Sequence, residues 1–85
     1  MTIAYTKVFI KQAKKLSPEL RQQLQDCIAL FSKNPLNPIL RNHTLKGKYK
    51  DYQSINITGD VRALYLQVDD KTIFSAIGTH SQLYG

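Results

Sequence analysis

Two histidines, His43 and His80, are the side chains of this 85-residue sequence best suited to giving and taking protons near neutral pH. His43 precedes Lys46 and Lys48 by three and five residues, and His80 precedes Tyr84 by four. The sequence carries no serine-centred nucleophile motif and no glycine-rich phosphate loop. One cysteine and two distant histidines supply no recognisable ligand spacing, so neither a metal nor another cofactor is expected. These residues suit a reaction whose nucleophile belongs to the substrate. In RNA the 2′-hydroxyl can attack the adjacent phosphorus, which requires a base for its proton, a cation for the added phosphate charge and an acid for the leaving 5′-oxygen. Histidine fits either proton role, and lysine or arginine fits the charge role. DNA, lacking the 2′-hydroxyl, is not cut by this route.

The charge balance points to a polyanion. Twelve lysines and arginines face six acids, a formal +6, which suits a nucleic-acid partner. The charges are also segregated: Lys7, Lys11, Lys14 and Lys15 have no acid near them, and from Cys27 to Lys50 there are five basic residues and no carboxylate. With 42% apolar and 21% charged residues, residues 1–85 are expected to form a single small domain. A chain of this size buries only about 60–65% of its unfolded surface, so a protein partner that adds burial suits it. Cys27 has no second cysteine to bridge, and no apolar run approaches the roughly 20 residues of a membrane-spanning helix. The first residues lack the apolar block of a secretory leader, so the expected location is cytoplasmic, with no membrane partner.

These groups must be held by a few short elements. Residues 2–5 are β-compatible, and Thr6 can cap a helix with Phe9, Ala13 and Leu16 on one side and the stripe Lys7, Lys11, Lys14 beside it. Ser17-Pro18-Glu19 is a strong helix start, and Leu20, Leu24, Cys27, Ile28 and Phe31 then recur at helical spacing. Cys27 therefore reads as a small buried hydrophobe rather than a nucleophile. Asn34-Pro35-Leu36-Asn37-Pro38 ends that helix. Leu36 to Asp51 reads as a long connection carrying Arg41, His43, Lys46, Lys48 and Lys50, with Leu40, Leu45 and Tyr49 seeking burial.

The C-terminal half reads as strands. Residues 52–57 alternate, Thr58-Gly59-Asp60 turns, and Val61–Val68 and Thr72–Ile77 follow around a second turn at Asp69-Asp70-Lys71. The expected fold is α+β: a short N-terminal strand and two helices packed on one face of an antiparallel sheet. The other face would be open and flanked by basic loops, a bed for an RNA strand. Register across the first hairpin stays open. A three-residue Thr58–Asp60 loop sets Arg62 opposite Asn56, whereas a two-residue turn sets Ala63 there.

Three fragments then become recognisable: His43-x-Leu45-x-Gly47-x-Tyr49-x-x-Tyr52, Gly59-Asp60-x-Arg62-x-x-Tyr65 and Ile77-Gly78-Thr79-His80-x-x-Leu83-Tyr84-Gly85. Together they resemble the YafQ-like toxins of the RelE/ParE superfamily, over essentially residues 5–85. The resemblance implies a bacterial type II toxin–antitoxin system, a RelE-like fold, metal-independent cleavage of translated mRNA inside the ribosome, and an antitoxin that blocks the toxin. Carried over by position, His43 resembles the family's loop histidine, Asp60 its hairpin acid, His80 its C-terminal histidine, and Tyr84 the aromatic that follows, where phenylalanine is commoner. Two positions depart from the pattern. Asn56 stands where many relatives place a histidine, and Val61 where an aromatic often follows the hairpin acid.

The expected catalytic residues are thus His80, His43 and Asp60, with Lys46, Lys48, Arg62, Asn56 and Tyr84 meeting RNA. Two readings without cleavage stand beside this one. A ParE-like toxin would inhibit a protein target such as DNA gyrase, and a weakened module, which Asn56 would favour, would only bind RNA or antitoxin.

Overall fold

A computed structural model describes residues 1–84; Gly85, the last residue of the third fragment, lies outside the described residues. Strand β1 is Thr2–Tyr5, and Thr6 starts helix α1, Lys7–Lys14, as its sequence position leads one to expect. The Thr6 hydroxyl accepts the Phe9 amide at 3.1 Å and donates to the Ser75 carbonyl at 3.1 Å, so the cap also ties the helix to the sheet. Ser17 accepts the Leu20 amide at 3.2 Å and starts α2, Pro18–Lys33. Caps of this kind contribute about 1 kcal/mol each. Helix α1 stops at Lys14, so Leu16 lies in the turn between the helices, yet it still packs on the core.

The sheet has five strands in the order β1-β5-β4-β3-β2, where β2 is His43–Thr44, β3 Gln53–Asn56, β4 Val61–Val68 and β5 Lys71–Thr79. Strands β2 to β5 pair antiparallel, but β1 runs parallel to β5. The antiparallel expectation holds for the hairpins, which need only tight turns. Strand β1 meets its neighbour only after both helices and three strands have intervened, and that long crossover permits a parallel pairing. Between Leu64↔Ala76 and Tyr65↔Phe74, β5 carries one extra residue, Ser75. The bulge resets the alternation, so that Phe74 and Ile77, three residues apart, both reach the core.

The helices cover one face of the sheet. Phe9, Leu24, Cys27 and Phe31 meet Ile55, Ile57, Ala63, Tyr65, Phe74 and Ile77 in the core. Burial, with the neighbouring Asp26 carboxylate adding to it, pushes the Cys27 thiol pKa up, which fits a side chain packed as a hydrophobe. Leu40 is fully buried and pins the stretch after α2. What reads as one long connection is in fact broken into 3₁₀ turns at Pro38–Leu40 and Gly47–Tyr49 with β2 between them. A two-residue edge strand shows no alternation for a sequence reading to detect. Gly47, at φ +68°, turns the chain in the left-handed region that other residues enter only with strain.

Directly paired residues project to the same side of a sheet. His43, Ser54, Leu64 and Ala76 therefore share the face turned away from the core, as do Asn56, Arg62 and Gly78. That face is less open than expected: Leu64 is 2% exposed, and a short helix α3, His80–Tyr84, packs against β5. Among the described residues no helix is long and apolar enough to cross a membrane.

Candidate active site

The β3–β4 turn decides where Arg62 stands. Ile57 and Thr58 both donate their amides to the Val61 carbonyl, at 2.8 and 3.1 Å, and the Thr58 hydroxyl accepts the amides of Val61 and Asp60 at 3.0 and 3.3 Å. This serine/threonine-type turn closes a three-residue loop, Thr58–Asp60, and sets Asn56 opposite Arg62. The open question of register is settled by the threonine side chain. Arg62 Nε then donates to Asn56 Oδ1 at 3.2 Å.

His80 is held by backbone chemistry that the sequence reading missed. The Thr79 hydroxyl accepts the Gln82 amide at 3.2 Å, while Gln82 Oε1 accepts the Thr79 amide at 2.8 Å. This reciprocal pair is a capping box, and it fixes the start of α3 with His80 as its first residue. The signal, Thr79-x-x-Gln82, was present in the sequence. The same arrangement explains Gly78, where a Cβ would lie 2.9 Å from Gln82 Oε1 and 3.3 Å from its Cβ.

His43 is oriented from the β2 edge of the sheet. Its Nδ1 lies 2.7 Å from the Arg41 carbonyl. A carbonyl can only accept, so Nδ1 carries the hydrogen, which in the neutral tautomer leaves Nε2 as the acceptor. Arg41 adopts a left-handed conformation, φ 47°, that brings its carbonyl to this position.

The two imidazoles meet in one cleft. His43, Leu45, Arg62, His80 and Tyr84 line a space of about 350 Å³. Two proton carriers, one guanidinium and one aromatic ring are thereby assembled, with no carboxylate among them. A larger groove of about 500 Å³ between α1 and α2, lined by Phe9, Leu24 and Ile28 with Lys14 and Arg21, holds neither histidine nor acid and offers no comparable chemistry.

Not every expected residue reaches the cleft. Asp60 is exposed in the hairpin turn and does not line it. Asn56 contacts it only through Arg62. Lys46 and Lys48 are exposed outside its walls, and the Lys48 ammonium sits 5.3 Å from the centre of the Tyr49 ring. Among the described residues no group of three or more His, Cys, Asp or Glu side chains comes together to hold a metal.

Tyr84 belongs to a ladder of edge-to-face rings that ends on His80. Centroids lie 6.0 Å apart for Tyr52–Tyr49, 5.6 Å for Tyr49–Tyr84 and 4.8 Å for His80–Tyr84. The Tyr49 hydroxyl donates to the Leu83 carbonyl at 2.9 Å, pinning α3, whereas the Tyr84 hydroxyl is buried with no hydrogen-bond partner among the described residues. The two tyrosines should therefore respond oppositely to loss of the hydroxyl. Tyr49→Phe is expected to lower stability by about 1 kcal/mol, and Tyr84→Phe to raise it by up to about 1 kcal/mol, in urea unfolding. Equal responses would contradict this assignment of hydrogen bonds.

The fold defines the class. The YoeB/ParE toxin from Agrobacterium tumefaciens, 18% identical, superposes with a TM-score of 0.77 over 94% of this chain and 99% of its own. This is a RelE/ParE-like toxin fold. The family follows from the sequence, which matches over residues 1–85 the model described as bacterial toxin of type II toxin-antitoxin system, YafQ. The chain belongs to that family.

Escherichia coli YafQ is 25% identical, with a TM-score of 0.84 over 98% of this chain and 97% of that one. In its complex with the antitoxin DinJ the corresponding values are 25%, 0.82, 98% and 96%. A copper-bound variant of a Helicobacter pylori toxin is 30% identical, with a TM-score of 0.73 over 98% of both chains. Among curated proteins none matches the sequence significantly.

Proposed function

We propose that this toxin is a ribosome-dependent endoribonuclease that cuts translated mRNA without a metal. The observation that carries the reading is the shared cleft of His43, His80 and Arg62. His43, with hydrogen on Nδ1, takes the 2′-hydroxyl proton at Nε2 as that oxygen bonds to phosphorus. Arg62 stabilises the charge added to the phosphate. His80 gives a proton to the 5′-oxygen as the phosphorus–oxygen bond breaks, leaving a 2′,3′-cyclic phosphate and a 5′-hydroxyl. Tyr84 offers an aromatic ring for a base, Lys46 and Lys48 attract the flanking phosphates, and Asp60 orients the substrate from the hairpin tip. The DinJ–YafQ complex supports a cognate antitoxin as the protein partner of this chain. With ribosomes and mRNA as its other partners, it acts in the cytoplasm.

Transcript mapping after induction tests the reading. Cuts at codon-related positions bearing 5′-hydroxyl ends are expected. Intact transcripts together with a collapse of supercoiling would replace this reading with gyrase inhibition, and intact transcripts with normal supercoiling would leave a binding module. The lysines are tested by salt. Affinity for single-stranded RNA should fall by about 0.7 log units per log unit of salt for each phosphate neutralised. Replacing Lys46 and Lys48 with alanine should flatten that slope. An unchanged slope would mean that they only solvate the loop.

A further inference from the structure

We propose that Asn56 is a positioning residue for Arg62, holding the guanidinium by Nε so that the terminal Nη1/Nη2 edge faces the scissile phosphate. This rests on the endoribonuclease reading above. Asn56 and Arg62 are direct cross-strand partners on the cleft face, and Arg62 Nε donates to Asn56 Oδ1 at 3.2 Å. Arg62 is half-buried and lines the cleft; Asn56 is half-buried and does not. A guanidinium presents two forks to a phosphate, one through Nε and one through its two terminal nitrogens. With Nε engaged, only the terminal fork is free.

The choice of side chain has a chemical reason. Asn56 is a neutral acceptor, so it orients the arginine without cancelling its charge, which a carboxylate at the same place would do. A long arginine held before substrate arrives also loses less rotamer freedom on binding. Asparagine cannot carry a proton near neutral pH. The position where many of the toxins this chain resembles place a histidine is here given to charge placement, and the proton work stays with His43 and His80.

A double-mutant cycle on transcript cutting by programmed ribosomes tests the role. Asn56→Ala should lower the saturated cutting rate about tenfold, the size expected for a hydrogen bond to a charged group, with the half-saturating ribosome concentration unchanged. In an Arg62→Ala background the same substitution should have no further effect. Asn56→His should give no gain. A readout independent of cutting is the Arg62 Nε–H resonance, which should exchange slowly in the native protein and rapidly in Asn56→Ala. Independent, multiplying effects of the two substitutions, an unaltered Nε–H, or a tenfold gain from Asn56→His would each overturn the proposal. Absence of cutting by the unaltered chain would remove the endoribonuclease reading and this role with it.

Discussion

His80→Ala should reduce transcript cutting by about 10²–10⁴-fold, the range for removing a positioned proton carrier. The imidazole is exposed, and the Thr79–Gln82 box that orients its backbone does not use it. The fold should therefore survive, losing only the ring contact with Tyr84 at 4.8 Å, about 0.5–1.5 kcal/mol. Thermal unfolding of the variant checks that expectation separately from the cutting assay. His43→Ala should fall within the same range, because His43 lines the same cleft and is the proposed base. Groups that act as one unit give non-additive losses, so the double substitution should cut little more slowly than either single one. Cutting by His80→Ala at the native rate would exclude a proton-transfer role for that ring.

Phe74→Ala should cost about 3–5 kcal/mol, as large-to-small changes of buried aromatics do. Phe74 has no exposed surface, and its ring lies within 6 Å of four others: Tyr5 at 5.9 Å, Phe9 at 5.7 Å, Phe31 at 5.5 Å and Tyr65 at 5.4 Å. It thus joins β1, both long helices and β4 through one side chain. Stabilities of roughly 5–15 kcal/mol are usual for native domains, and an 85-residue chain belongs to the lower part of that range. The variant should be largely unfolded at physiological temperature. Urea unfolding followed by far-UV circular dichroism measures the loss, with Phe74→Leu as a milder control. A loss below about 1 kcal/mol would mean that the neighbouring rings collapse into the space, contrary to a packed hub.

Some features follow from local rules, and these were legible in the chain. Thr6 and Ser17 start their helices where the side-chain caps predict, because a cap depends only on a side chain and amides three residues away. Leu20, Leu24, Cys27, Ile28 and Phe31 all reach the core because the 3.6-residue period fixes one helix face. The family was legible as well, since the spaced His43, Asp60 and His80 fragments keep their order along the chain. The capping box of Thr79 and Gln82 could have been read by the same local rule.

Features that depend on distant partners were not legible. The parallel pairing of β1 with β5, the two-residue strand at His43 and the bulge at Ser75 each require a neighbour remote in sequence. The site shows the same division. Residue types alone nominate His43, Arg62 and His80 as carriers of protons and charge, because imidazole and guanidinium chemistry is intrinsic. Only the assembled sheet brings them to one cleft, leaves Asp60 at the hairpin tip, and joins Asn56 to Arg62. A one-residue change in register would turn Arg62 to the other face, and that register is set by the hydrogen bonds of the Thr58 turn, which the alternation of neither strand reveals.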